Sequence, residues 1–366
     1  MELSVFSTYV FYMVSFIISS FLISASQDSR RKKYFFLLEM IGLSIPIIIG
    51  TFRDGVGTDF YSYFQAYSLK GPIDIDLYLS TYGMREIVSY TIFRVSYLLG
   101  SFNVFLFIYS CGTVLFAYFG LKRIVPKKFL FISFYTYLFI FYLQSFNIIR
   151  QGLAIAAFIW GIKYIFERKP VKFFLLILLI SQIHTSIIVT IPVYFIVNKK
   201  GEINKKIFLL VLCGYILFSY SNQKFIQFFS NVESFEKYGI YLTNPGNGEN
   251  KDIIIKVIVL LIMLIFYNKI KIESAGIILS LMIYSFIFGF IGFSGAFLKR
   301  FGLYFDVFQV VSLAYVGSVF KNKYESLLYK ILVFMVISFY VYILYVYTSN
   351  GDVVPYIFNW KFNSTF

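Results

Sequence analysis

The stretch "IGLSIPIIIGTFRDGVGTDFYSYFQAY", residues Ile41–Tyr67, changes abruptly from an apolar run to a polar segment that contains glycines. The run that ends near Gly50 suits a hydrocarbon environment, whereas Arg53, Asp54 and Asp59 require water or polar partners. We therefore interpret this stretch as a membrane helix that ends at the bilayer surface and continues into a polar loop.

The composition of the whole chain repeats this contrast. Of its 366 residues, 59% are hydrophobic and only 14% are charged, and the mean hydropathy is +0.77. A soluble protein of this size would have too little polar surface to cover such a core. The apolar blocks are continuous rather than alternating, and they approach the roughly 20 residues that a spanning helix needs. The sequence predicts an all-α, polytopic membrane protein with about 10–12 membrane helices, organised as one membrane domain over residues 1–366.

The net charge of +15 follows the positive-inside rule. Lys and Arg fall in short clusters between apolar blocks, which argues against a nucleic-acid partner. Six clusters are assigned to the cytoplasmic side: Arg30–Lys33, Leu121–Lys128, Glu167–Lys172, Asn198–Lys206, Asn268–Glu273 and Lys321–Glu325. The external loops are then expected at about residues 51–100 and 220–252.

Two segments depart from simple spanning helices. The apolar stretch at about residues 85–99 is short and interrupted by Arg94, so we expect an interfacial or re-entrant helix. Residues 173–197 have basic clusters at both ends. They form either a re-entrant hairpin of two half-helices that turns near "QIHTS", which we favour, or one span that violates the charge rule.

Arginines are concentrated on the external side. By this topology five of the nine lie at or near it: Arg53, Arg85, Arg94, Arg150 and Arg300. The planar guanidinium suits a phosphate or carboxylate, although contact with lipid headgroups is the better explanation for any single arginine. For Arg53, Arg150 and Arg300 together we favour ligand binding, because each begins or ends a helix within a polar corner.

The loop around Arg53 has the composition of a binding loop. Gly55 and Gly57 allow unusual backbone dihedrals and close approach to a ligand, and Thr58 with Asp59 is predicted to cap the next helix. The tyrosines that follow, Tyr61 among them, could pack against sugar rings. The candidate substrate-binding residues of this loop are Arg53, Asp54, Gly55, Gly57, Thr58, Asp59 and Tyr61.

Two other corners supply further candidates. Arg150 enters a span together with Asn147 and Gln151, and small residues such as Gly152 permit close helix packing there. Arg300 is followed one turn later by Tyr304. The acidic residues Asp54, Asp59 and Glu86 are candidate partners that orient the arginines or an incoming hydroxyl.

His184 is the only histidine and lies near mid-membrane depth in either arrangement of residues 173–197. An ionisable group at that depth is a site hypothesis by default, and imidazole titrates near neutrality. The alternative is a neutral imidazole hydrogen-bonded to Thr185, Ser186 or a carbonyl. The sequence alone leaves both open.

Several motifs together resemble a known family. The segments "FRDGVGTDFYSY", "SFNIIRQGLAIA", "IHTSIIVTIPVYF" and "LKRFGLYF" occur in this order, followed by "VVPYIFNW" at Val353–Trp360. This order resembles the EpsG-type branch of the Wzy polymerases, which polymerise O-antigen, capsule or exopolysaccharide repeat units. The resemblance runs from about Arg53 to Trp360.

The resemblance implies glycosyl transfer between two undecaprenyl-pyrophosphate-linked glycans at the periplasmic face of the bacterial inner membrane, without a cofactor, metal or nucleotide sugar. Membrane lipids, a chain-length regulator and a flippase are the expected partners. Our hypothesis gives Arg150 and Arg300 the pyrophosphate of the leaving group. Arg53 then binds the second lipid-linked substrate, and His184 acts as general base.

Three other functions fit parts of the sequence. A flippase or transporter for the lipid-linked repeat would use the same arginines, but such proteins usually show internal repeats, and none is visible here. A membrane acyltransferase would explain His184 but not the external arginines. An O-antigen ligase differs from the polymerase only in its acceptor.

Overall fold

The computed structural model describes residues 2–28, 32–84, 86–196, 204–220, 253–291 and 296–359. Nearly all regular structure in these ranges is helical, as the composition predicts. In chain order the α-helices are α1 Val5–Asp28, α2 Lys32–Thr51, α3 Phe60–Lys70, α4 Ile75–Tyr82, α5 Ile87–Leu98, α6 Phe102–Ile124, α7 Leu130–Thr136, α8 Ile149–Phe166, α9 Pro170–Ser181, α10 Val193–Ile196, α11 Lys205–Tyr220, α12 Ile253–Phe266, α13 Ala275–Ile291, α14 Ala296–Asp306, α15 Gln309–Gly317 and α16 Lys323–Val341.

Five helical segments in the described part are long and apolar enough to cross a bilayer: Val5–Gln27, Tyr34–Thr51, Phe102–Ile124, Ile149–Phe166 and Lys323–Tyr347. Shorter apolar helices accompany them. The all-α, multi-pass membrane class predicted from the sequence is therefore confirmed. The predicted external loop at 220–252 lies, apart from Tyr220, outside the described residues.

The chain folds into two compact units. The first comprises residues 1–163, 172–188 and 320–366, and the second comprises 164–171 and 189–319. Whether they form one membrane domain stays a prediction.

Close approach of backbones holds the first unit together. The Ser19 hydroxyl of α1 donates a hydrogen bond to the Gly42 carbonyl of α2 at 2.6 Å. A methyl group at Gly120 of α6 would lie 2.8 Å from the Trp160 amide nitrogen of α8. These approaches are of the small-residue type that drives helix association in lipid, where apolar burial gives little advantage.

The segment between α2 and α6, which the sequence predicts to be external, contains three short helices. Its last helix, α5, covers most of the helix predicted at about 85–99, and its 12 residues reach only about 18 Å. Its interfacial or re-entrant placement stays a prediction. The Arg94 guanidinium on α5 donates hydrogen bonds to the carbonyls of Gly71 and Pro72 at 2.8 and 3.0 Å. Arg94 therefore ties the turn between α3 and α4 to α5.

The segment at 173–197 is broken, as the favoured interpretation requires. Helix α9 ends at Ser181, a 3₁₀ helix covers Thr185–Thr190, and the short α10 follows. One continuous helix over the described residues 173–196 is excluded. His184 lies at the break between α9 and the 3₁₀ helix.

The second unit contains a buried ion pair. Lys256 of α12 and Asp306 of α14 are both 2% exposed, and Nζ lies 2.7 Å from Oδ2. The Ser285 hydroxyl of α13 donates to the other carboxylate oxygen at 2.6 Å. Each charged group thus has a partner, which a charge in an apolar helix bundle requires.

Candidate functional site

The loop that follows α2 is shaped by its glycines. Gly57 has φ +100°, and a methyl group there would lie 2.8 Å from the Phe146 carbonyl oxygen. The Gly57 amide donates a hydrogen bond to the Asp352 carbonyl at 2.8 Å. Gly55 also has a positive φ, +62°. The sequence therefore needs glycine at both positions, and at Gly57 it gains close contact with the corner before α8.

Asn147 joins this loop to two other segments. Its side-chain oxygen accepts hydrogen bonds from the Thr58 amide at 2.7 Å and the Thr58 hydroxyl at 3.1 Å. A methyl group at Gly351 would collide with the Asn147 side-chain nitrogen. Asn147 thus contacts both the loop after α2 and the segment after α16.

The same contacts correct the predicted helix cap. Asp59 stands at the N-cap position of α3, but its side chain makes no capping hydrogen bond. Its backbone has φ −93° and ψ 1°, which differs from the extended conformation that aims a cap side chain at the helix amides. The predicted capping role of Asp59 is wrong, and the Thr58 hydroxyl donates a hydrogen bond to the Asn147 side-chain oxygen.

The motif "VVPYIF" packs against the Arg53 loop from the far end of the sequence. Arg53 and Phe358 form an antiparallel bridge, flanked by hydrogen bonds from Asp54 N–H to the Ile357 carbonyl and from Asn359 N–H to the Phe52 carbonyl. The Tyr356 hydroxyl donates to the Ile49 carbonyl at 2.7 Å, across 307 residues of sequence. The Val354–Pro355 peptide is cis.

This packing buries Arg53. The residue is 2% exposed, and its guanidinium carbon lies 4.1 Å from the centre of the Phe146 ring. Four tyrosines surround it closely enough to act on its charge: Tyr12, Tyr63, Tyr142 and Tyr356. Within the described part of the chain no acidic side chain pairs with the guanidinium, and its buried Nε has no hydrogen-bond partner.

Burial has an electrostatic consequence. It lowers the pKa of Arg53 to about 10, against the weaker opposing effect of the four phenols. Arg53 therefore stays protonated at neutral pH, as a cation removed from water. Such a charge costs several kcal/mol unless an anion compensates it. An anionic ligand in contact with this guanidinium would find a strong and dehydrated partner.

A second cluster forms around Arg150, at the start of α8. One Nη atom of Arg150 donates to Glu86 Oε2 in an ion pair. The other oxygen, Oε1, accepts a hydrogen bond from the Thr185 hydroxyl at 3.4 Å and lies 3.8 Å from His184 Nδ1. All three charged or titratable side chains are largely buried, with exposed fractions of 24%, 11% and 18% for Arg150, Glu86 and His184.

Tyr63 connects the two arginine environments. The Arg150 guanidinium carbon lies 6.0 Å from the centre of the Tyr63 ring, and Tyr63 is also one of the phenols that act on Arg53. The structure therefore brings Arg53, Asn147, Arg150 and His184 into one region of the first unit.

The remaining predicted residues have varied settings. Tyr61 is 61% exposed and Gln151 is 2% exposed, and burial raises the pKa of Asp54. In the second unit, Arg300 is exposed on α14 and Tyr304 is fully buried. Arg85 lies outside the described residues. The proposed roles of these residues stay predictions.

The sequence analysis missed part of this region. It named Glu86 only as one of three acidic candidates, and it did not identify Tyr12, Phe146 or Tyr142 as the walls around Arg53. Within the described part of the chain, no group of three or more His, Cys, Asp or Glu residues could hold a metal ion.

The fold and this region define a multi-pass, all-helical membrane protein with buried arginines next to a polar surface loop. A model of the EpsG family matches residues 34–358, and the chain belongs to this family of Wzy-like polymerases. The match includes all five motifs up to Phe358. No curated protein and no solved structure shows a significant match to the chain.

Proposed function

We propose that the protein is a glycosyltransferase that polymerises oligosaccharide repeat units carried on undecaprenyl pyrophosphate, with its site at the outer face of the inner membrane. The observation that supports this most directly is Arg53, a buried cation without an acidic partner among the described residues. A diphosphate is the anion that both lipid-linked substrates would bring to it. The guanidinium would bind that diphosphate away from bulk water, where the charge–charge attraction is strong.

The reaction needs charge stabilisation and one proton transfer. The acceptor hydroxyl oxygen forms a bond to the anomeric carbon of the donor sugar, and the bond from that carbon to the diphosphate oxygen breaks. The bonding electrons leave with the diphosphate, whose growing charge Arg150 would stabilise through donors that Glu86 does not occupy. The hydroxyl proton passes to His184.

Reconstitution tests this proposal. The purified protein in liposomes is given an undecaprenyl-pyrophosphate-linked repeat unit, and the products are separated by size. A ladder of products supports polymerisation. A single transfer to a different lipid acceptor would indicate a ligase, and relocation of the lipid without a new glycosidic bond would indicate a flippase. Either result would overturn the proposal.

Arg150→Lys is the informative variant in this assay. Lysine keeps the charge but lacks the planar guanidinium, whose several N–H groups can donate to a carboxylate and a diphosphate at the same time. We expect long products to decrease strongly, with the amount of folded protein unchanged. Long products at the wild-type level would show that the geometry of the guanidinium is irrelevant.

A further inference from the structure

Glu86 occupies a central position that the proposed function does not yet use. Its carboxylate contacts the two residues to which that function assigns charge stabilisation and proton transfer. Oε2 accepts from Arg150, and Oε1 lies 3.8 Å from His184 Nδ1. The Thr185 hydroxyl donates to the same Oε1 at 3.4 Å. One carboxylate therefore serves both groups.

The backbone around Glu86 fixes this arrangement. Glu86 has φ 48° and ψ 39°, a left-handed conformation that is uncommon for a residue with a side chain, and it stands at the N-cap position of α5 without making a capping bond. This conformation is strained for a glutamate and persists only where the surroundings impose it. The carboxylate thus faces Arg150 and His184 instead of capping its own helix.

A backbone hydrogen bond links the two sides of the cluster. The amide of Ser89, in the first turn of α5, donates to the Gln182 carbonyl at 3.2 Å. Gln182 precedes His184 by two residues in the break after α9. The helix start that carries Glu86 and the segment that carries His184 are therefore held together independently of their side chains.

We propose that Glu86 is the positioning residue of the transfer reaction, which orients His184 and Arg150 at the same time. This inference rests on the proposed function. When the carboxylate accepts the proton on Nδ1, the imidazole keeps its lone pair on Nε2, where it can take a proton from the acceptor hydroxyl. The separation of 3.8 Å exceeds a hydrogen bond, and such contacts commonly shorten when substrate binds.

The shared carboxylate also couples the two groups. A diphosphate that binds the N–H donors that Glu86 leaves open shares the positive charge of Arg150 and so weakens the attraction between Arg150 and Oε2. The carboxylate then moves toward Nδ1 and strengthens the base. Donor binding would in this way prepare His184 for the acceptor.

A double-mutant cycle tests the proposal with the reconstituted full-length protein. The variants are Glu86→Gln, His184→Ala and their combination, and kcat and KM for the lipid-linked repeat are measured for each. We expect His184→Ala to lower kcat by about 10²- to 10⁴-fold. Glu86→Gln should lower kcat at least about 10-fold with little change in KM, because a positioning residue acts in the transition state.

The combination distinguishes positioning from simple structural support. Because Glu86 acts in part through His184 and in part through Arg150, Glu86→Gln should still lower kcat in the His184→Ala background, but by a clearly smaller factor than in the wild type. Full additivity, or wild-type kcat for Glu86→Gln alone, would overturn the proposal. Should Glu86→Gln fail to fold, Glu86→Asp keeps the charge, retracts it by one methylene, and is measured in the same two backgrounds with the same criteria.

Glu39 offers a matched control. It is also buried, at 9% exposure, and pairs with Lys122 at 2.6 Å. It precedes the end of α2 by 12 residues, or about 18 Å along the helix axis. Glu39→Gln should leave kcat unchanged. Absence of any polymer from the wild type would overturn the proposed function and this inference together, whereas polymer with additive variants overturns the inference alone.

Discussion

Arg53→Met should separate stability from function. Methionine retains much of the volume of the arginine stem and removes the charge from a site that is 2% exposed. Burial lowers the pKa of Arg53 from the usual range of a guanidinium to about 10, and at about 1.4 kcal/mol per pKa unit this lowering corresponds to roughly 3 kcal/mol. At pH 7 the guanidinium is protonated in both the folded and the unfolded protein, so the folded state carries this whole cost.

A contact with an aromatic ring offsets part of the cost of burying the Arg53 charge. The guanidinium lies 4.1 Å from the Phe146 ring centre, a cation–π contact that contributes about 1–2 kcal/mol when desolvated. The net gain from Arg53→Met is then about 1–2 kcal/mol, or a few degrees in the unfolding midpoint. We expect the variant in detergent to melt at or above the wild-type temperature and to form no polymer in liposomes.

Arg94→Met is the control for this prediction, because it removes an arginine whose guanidinium is hydrogen-bonded to backbone carbonyls. Arg94 donates to two backbone carbonyls, and losing these bonds should destabilise the fold by about 1–3 kcal/mol while polymerisation continues. A second measurement adds the lipid-linked repeat, which should raise the melting temperature of the wild type but not that of Arg53→Met. If Arg53→Met melts several degrees below the wild type, the guanidinium stabilises the empty protein and the reasoning is refuted.

Three further outcomes follow from contacts described above. Gly57→Ala should destabilise the fold by about 1–3 kcal/mol, measured by thermal unfolding, whereas Gly214→Ala, which meets nothing within 4 Å, should be neutral or slightly stabilising; equal melting of the two variants would contradict the clash. Asn147→Ala should reduce polymer formation more than Asn147→Asp, because aspartate keeps the oxygen that accepts hydrogen bonds from Thr58. The reverse order in the liposome assay would exclude a role for these hydrogen bonds. Lys256→Met should cost about 3–5 kcal/mol by leaving Asp306 buried and uncompensated, and Lys256→Met combined with Asp306→Leu should recover most of the loss in the same unfolding assay.

Local patterns in the sequence predict much of the fold. Continuous apolar runs indicate membrane helices, because only a helix satisfies its own amides in lipid. The polar residues of "QIHTS" correctly indicate a break after α9. The glycines after Arg53 correctly indicate unusual backbone dihedrals, since Gly55 and Gly57 both have positive φ.

Interactions between distant residues could not be predicted in the same way. Glu86 and Arg150 are 64 residues apart, and nothing in the local sequence distinguishes Glu86 from Asp54 or Asp59 as the partner of an arginine. The helix cap predicted for Thr58 and Asp59 also depends on distant residues. Asn147 binds Thr58 across 89 residues, and the backbone of Asp59 does not adopt the extended conformation that a capping side chain needs. Tertiary hydrogen bonds of this kind override local preferences.

The bridge between Arg53 and Phe358 has a consequence for how the protein is made. Helices α3 to α16 lie between its two residues in the sequence. A ribosome-bound chain would therefore insert these helices before residues 353–358 can cover Arg53. A nascent or truncated chain that lacks residues 353–358 would leave its guanidinium open to water, where it has no advantage over any other surface arginine in binding an anion. The proposed anion site would thus form only after residues 353–358 have been synthesised, and a shorter product would lack it.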